Sequence, residues 1–213
     1  RKIQILESIP NNGKAKAEKI LLSLKEDLKT LTEQANQKNK SEFIQTRRKS
    51  LEQIGNIEAL LLPDKYPYKI PTEFDNLPRL LGRASVNIAT TKGNMYAIID
   101  GYNAPLTSGA FIDLAQKGFY NGLPMNRAEE FFVLQTGDPK GSAIGYIDPE
   151  TKEERHVPLE IKAPGENETI YNQTFEELGL YTESPVLPFA TLGTLGWAHS
   201  DQALDDGSSQ FFF

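Results

Sequence analysis

Phe119-Tyr120-Asn121-Gly122-Leu123-Pro124-Met125-Asn126-Arg127, followed by Phe131-Phe132-Val133-Leu134-Gln135-Thr136-Gly137-Asp138, is a lone arginine set before an aromatic strand that ends in Gln-Thr-Gly-Asp. Downstream lie Gly196-Trp197-Ala198-His199 and then Gly207-Ser208-Ser209-Gln210-Phe211-Phe212. Taken alone, the phenylalanines would be ordinary core. Upstream, Val86 and Ile88 alternate with Asn87 and Ala89, Thr91-Lys92-Gly93-Asn94 supplies turn chemistry, and Met95–Ile99 is a second apolar run. That pattern predicts a β-hairpin. Asn103-Ala104-Pro105 reads as a helix start, with Phe111 and Leu114 on one face and Gly118 past the end. Strand, strand, helix and then short strands punctuated by Gly and Pro imply an α+β or barrel domain.

The first part of the chain differs in kind. No proline occurs from Lys14 to Leu62, and Leu24, Leu28 and Leu31 recur beside Ile20 and Leu21 as an amphipathic stripe. A second stripe uses Ile44, Leu51, Ile54, Ile57, Leu60 and Leu61, with Ser41 as its expected cap. Ile3, Ile5 and Leu6 before Pro10 suggest a further helical piece, since two helices alone bury too little. Residues 1–62 therefore read as an all-α helical domain and 63–84 as a proline-containing linker, with one helical turn expected over Leu77–Arg83. Residues 85–213 form the second domain. Charge divides nearby: residues 1–84 carry 16 Lys+Arg against 11 Asp+Glu, a net of +5, and residues 85–213 carry 7 against 18, a net of −11. Either both faces are merely solvated, or the halves attract and the helical domain partly covers a site on the other.

Composition excludes several classes of chemistry. The chain has 213 residues, 24% charged and 38% hydrophobic, a net charge of −6 and no cysteine, which rules out disulfides, iron–sulfur clusters and cysteine zinc sites. His156 and His199 lack the companions of a metal site, so no metal and no cofactor is expected. No apolar run approaches the ~20 residues of a membrane span. The start at Arg1, without Met or signal peptide, reads as a processed or trimmed end. Arg47-Arg48-Lys49 lies on a polar helix face with no aromatic platform, so no nucleic-acid partner is expected. Gly137-Asp138-Pro139-Lys140-Gly141 lacks the full spacing of a phosphate loop and reads as a turn. Glu129-Glu130 and Asp205-Asp206 are adjacent pairs that a strand would point to opposite sides.

With these excluded, the opening motifs stand out. In order and type they resemble the cyclophilins, whose signatures are a Tyr-x-Gly…Arg…Phe-x-x-Gln-x-Gly-Asp strand pair and a later Ala…Ser-Gln-Phe-Phe segment. The resemblance spans about Val86 to Phe213 and implies a closed β-barrel with flanking helices. It implies that Arg127 is the catalytic arginine and that Gln135 holds the substrate backbone. Phe132 and Phe212 match aromatic walls of a proline pocket, Val133 stands at a usual methionine, and Ala198 and Gln210 match further groove residues. Trp197 replaces a smaller residue beside the groove, where it either narrows the pocket or is core. Met125-Asn126 replaces an aromatic–histidine pair, and Glu129 and Glu130 follow the arginine closely enough to draw it into an ion pair. The family continues beyond the point matching Phe213, so the domain is expected to be truncated at its C-terminus, with part of the barrel missing.

The chemistry implied is rotation about X–Pro bonds, a barrier of ~18–20 kcal/mol set by amide resonance, which needs neither nucleophile nor cofactor. A helical basic domain ahead of an acidic cyclophilin-like one resembles the thylakoid-lumen multidomain cyclophilins of plants and cyanobacteria. That resemblance implies a lumenal or periplasmic setting, proline-containing protein segments as partners, a role in photosystem II assembly, and an isomerase activity that can be weak. Two readings are thus open. One is a peptidyl-prolyl cis–trans isomerase; the other is a non-catalytic assembly chaperone or binding module that holds proline-containing segments.

Overall fold

The computed structural model describes residues 2–62, 66–139, 144–189 and 193–213. They fall into two compact units, residues 1–67 and 68–213. Lys140 and Gly141 of the loop read as a turn, and residues 63–65 of the expected linker, lie outside the described residues.

The first unit is all helical: α1 (Lys2–Ser8), α2 (Asn11–Asn36) and α3 (Lys40–Leu61). Pro10, which cannot continue α1, sits at the N-cap of α2. Lys38, at φ 56°, reverses the chain after α2. Asn39 rather than Ser41 caps α3, its side-chain oxygen accepting from the Glu42 N–H at 3.4 Å. Ile9, Ala17 and Ile57 are buried, with Ile5, Leu6, Ile20, Leu21, Leu24 and Leu60 packed around them. Farther along, the seam between α2 and α3 turns polar. Asp27 is buried and pairs with Lys49 at 2.8 Å, and the Gln53 amide donates to Ser23 at 2.9 Å. Leu28, Ile44, Leu51 and Ile54, expected on the inner stripes, are exposed instead.

In the second unit the chain packs from Tyr68 onward, ahead of the expected boundary at residue 85. Tyr68 meets Tyr102 edge-on at 5.4 Å and lies under the Lys162 ammonium, 3.0 Å from the ring centroid. The only turn of helix between residues 68 and 84 is a 3-10 turn at Thr72–Phe74; none forms over Leu77–Arg83, where Leu80 instead donates its N–H to Pro105. Strands β1 (Arg83–Thr90) and β2 (Gly93–Asp100) form the expected hairpin, turning at Gly93 with φ 131°. Helix α4 (Pro105–Gln116) starts at the expected proline and ends before Gly118 at φ 70°. Its inner face carries Phe111, edge-on to Phe211 at 5.1 Å, in a core with Ala97 and Ile99. Leu106 and Ala110 pack on Val157 in a neighbouring cluster.

Strands β3 (Arg127–Glu129), β4 (Val133–Thr136), β7 (Gly196–Trp197) and β8 (Phe211–Phe212) make a sheet of order β3-β4-β8-β7, and β5 (Glu160–Ile161) pairs with β6 (Ile170–Tyr171). The expected closed barrel is therefore not what the described residues form. Three separate antiparallel sheets are present, and strands β3–β8, two to four residues long, do not pair with the β1–β2 hairpin.

Candidate active site

The register of the four-stranded sheet places the site. Arg127 lies opposite Gln135, Gln135 opposite Phe212, and Phe212 opposite Gly196. Residues directly opposite across strands share a face, so arginine, amide and aromatic ring stand in one row. Glu129 and Val133, two residues along and opposite each other, share that face. Phe211, Thr136 and Trp197 take the other, where Phe211 enters the core. The strand end is tied down from behind. Gly137 has φ 94°, and a Cβ there would lie 2.4 Å from the Ser209 carbonyl oxygen, so only glycine fits. Ser209 Oγ donates to the Gly137 carbonyl at 2.8 Å, and the Tyr120 hydroxyl donates to the Ser209 carbonyl at 3.1 Å.

Above the row opens a cavity of about 520 Å³. Arg127, Phe132, Val133, Gln135, Trp197, Ala198 and Phe212 all line it. Gln210 is not among the lining residues: its Oε1 accepts from Gln135 Nε2 at 2.7 Å, and its own Nε2 donates to the Ile144 carbonyl at 2.9 Å. Gln210 therefore orients Gln135. Trp197 packs against two core clusters and also lines the cavity. Phe132, on the turn between β3 and β4, is 72% exposed and lies 5.6 Å from the Arg127 guanidinium carbon. Several cavity residues carried no signal in the sequence, Phe189 and Glu160 among them. Phe189 comes from the loop between β6 and β7 and stacks on Phe212 at 5.6 Å and 23°. Glu160 belongs to β5 and also lines the cavity.

Arg127 does not face the cavity alone. Its Nε donates to Glu129 Oε1 at 2.6 Å, with both side chains about half exposed, which realises the ion pair expected from the sequence. An exposed pair of this kind is worth ~0–1 kcal/mol, enough to hold the guanidinium toward its own strand part of the time. If Arg127 stabilises a transition state, Glu129→Gln is expected to raise kcat/KM up to about fivefold at low salt and to flatten its salt dependence. Steady-state kinetics over a salt series checks this.

Glu160 acts on the fold. Helix α4 lacks a side-chain N-cap, and the Glu160 carboxylate accepts from the Leu106 N–H at 3.1 Å and the Thr107 N–H at 3.0 Å. The residue is half-buried, but its carboxyl is tucked against the helix end. Burial pushes its pKa above the usual carboxylate value, and the Thr107 and Leu106 N–H groups recover part of the cost of ionisation. The folded state thus holds this proton more tightly than the unfolded chain. The associated stability is fully present below the unfolded value of ~4.3 and is lost as pH rises through the folded one. Melting wild type and Glu160→Gln over a pH series is expected to show wild type losing stability relative to the variant as pH rises above ~4.3. Among the described residues no group of His, Cys, Asp and Glu is placed to hold a metal ion.

An arginine, an oriented amide and aromatic walls around a cavity make a groove for an apolar ring attached to a polar backbone. The chain belongs to the cyclophilin-type peptidyl-prolyl cis-trans isomerase family, which it matches over residues 85–213. Residues 1–62 match the PsbQ-like domain of CYP38-like peptidyl-prolyl cis-trans isomerases. The chain is 46% identical over 210 residues to a putative thylakoid lumen peptidyl-prolyl cis-trans isomerase of Synechocystis sp., covering 99% of this chain and 55% of that protein. It is 39% identical over 216 residues to the chloroplastic peptidyl-prolyl cis-trans isomerase CYP38 of Arabidopsis thaliana, covering 97% and 48%. To the chloroplastic CYP37 of the same plant it is 28% identical over 233 residues, covering 100% and 47%. The chain thus spans about half the length of these curated relatives. No described helix is long and apolar enough to cross a membrane.

Proposed function

We propose that this chain is a peptidyl-prolyl cis–trans isomerase with Arg127 as its catalytic group. The observation that carries the reading is the cross-strand row Arg127–Gln135–Phe212 on one face of the sheet beneath the cavity. Phe132, Val133 and Phe212 take the proline ring by apolar contact and fix one side of the bond. Gln135, its NH₂ committed to Gln210, offers its carbonyl oxygen to a substrate backbone N–H. Twisting the X–Pro bond breaks resonance and returns the nitrogen lone pair, to which the Arg127 guanidinium donates. That contact exists in the twisted state and not in either planar one, so it lowers the barrier rather than merely binding substrate.

The Arg127–Glu129 ion pair favours a second reading, a binding module that holds proline segments without turning them over. Refolding of a test protein limited by a slow prolyl phase separates the two. Acceleration of that phase by catalytic amounts of the chain supports the isomerase. Suppressed aggregation at an unchanged rate supports the holder. Relatives described as thylakoid-lumenal and chloroplastic support a lumenal or periplasmic setting, and the PsbQ-like match supports photosystem II proteins as clients. Closure of the family's barrel belongs to the same proposal, with the edges of β1–β2 and of the four-stranded sheet joined by strands that the described residues do not supply.

A further inference from the structure

Phe189 is 67% exposed, yet it is not adrift. Its ring covers one face of Phe212, and its loop is pinned upstream where the Val186 N–H donates to the Lys162 carbonyl at 2.9 Å. Both rings lie over Gly196: a Cβ there would fall 2.6 Å from Phe189 Cε1 and 2.6 Å from Phe212 Cζ. Glycine at 196 is therefore the condition for the stack. Both rings line the cavity, as does Leu187 of the same loop. Phe132, 72% exposed, lines the same cavity. Apolar rings left open to water beside a proline pocket release most free energy when another apolar side chain covers them.

We propose that Phe189 is a specificity-determining residue of the groove, selecting proline segments that carry an aromatic side chain next to the proline. This rests on the proline-groove reading above and names the class of segment the groove takes. Phe212 holds the proline ring, and Phe189, stacked against it, holds the neighbouring aromatic ring.

The test uses the full chain and three short peptides, with phenylalanine before the proline, after it, or alanine at both places. Affinities are read by NMR titration. The natural chain is expected to bind at least one phenylalanine peptide about two- to tenfold more tightly than the alanine peptide, the range an aromatic pair contributes. In Phe189→Ala that ratio falls to about one, the exposed site leaving the melting temperature in place. Gly196→Ala, which forces the two rings apart, gives the same loss of preference. A preference that persists in Phe189→Ala overturns the inference, and so does tighter binding of all three peptides, which would make Phe189 a plug. If no peptide binds the natural chain, the groove reading itself falls and the inference with it.

Discussion

Arg127→Ala is expected to lower kcat/KM for X–Pro exchange by about 10²–10³-fold, the cost of removing one donor aimed at charge that develops in a transition state. The loss is expected to fall on kcat, because the other proposed substrate contacts, Phe132, Val133, Gln135 and Phe212, still line the cavity. Arg127→Lys keeps the charge but not the planar fork of donors, so it restores only part of the rate. Stability stays within about 0.5 kcal/mol, since the Arg127 side chain is half exposed and its ion pair with Glu129 lies at the surface. A variant that loses rate and stability together would make Arg127 a structural residue. Steady-state kinetics with a thermal melt of the same samples decides.

The second large effect lies in the core. Phe111→Ala is expected to destabilise the second unit by about 3–5 kcal/mol through lost burial and the cavity left behind. Phe111 is 5% exposed and touches Tyr120 at 5.4 Å and Phe211 edge-on at 5.1 Å. Tyr120 also stacks edge-on against Phe211, so the three rings lock one another. Phe211 is followed by Phe212, and the two alternate across β8, one into the core and one toward the cavity. Loosening the core ring thus frees the site ring, and peptide affinity falls along with stability. Denaturant unfolding followed by near-ultraviolet circular dichroism measures the first, and peptide titration the second. An unfolding midpoint unmoved by the substitution would remove Phe111 from its place as keystone.

How much of this was legible in the sequence depends on which forces act locally. The β1–β2 hairpin and α4 could be read because period-two alternation, Gly93, Pro105 and Gly118 all act over a few residues. The helices of the first unit could be placed but their inward faces could not. Leucine periodicity put Leu28 and Leu51 inside, whereas the helices bury Asp27 and Ser50, polar residues held by a partner distant in sequence or one turn away, Lys49 for Asp27 and Thr46 for Ser50. The turn cap moved from Ser41 to Asn39 for a local reason that composition did not rank: Lys38 takes the left-handed conformation and turns the next residue into the cap.

At the site, the motif order named residues that the sheet register sets in one row. Trp197 could not be settled from its neighbours, because its role depends on facing Phe211 across β7 and β8. Phe189 and Glu160 were invisible. Each reaches the cavity from a segment whose only tie to it is tertiary, one through a ring stack and one through the bare N-terminus of α4. The order of elements left a barrel as one of two readings and the family resemblance chose it, but strand pairing among the described residues does not close it.

Arg127, on the reading proposed above, lowers the barrier to prolyl rotation. The most direct measurement is cis–trans exchange of a short X–Pro peptide by two-dimensional exchange NMR, with the natural chain and Arg127→Ala side by side at equal concentration. Exchange cross-peaks on the subsecond timescale are expected with the natural chain, against tens of seconds or longer for the free peptide, and their loss in the variant. Line broadening that shows binding without exchange in the natural chain would contradict it, as would equal acceleration by both proteins.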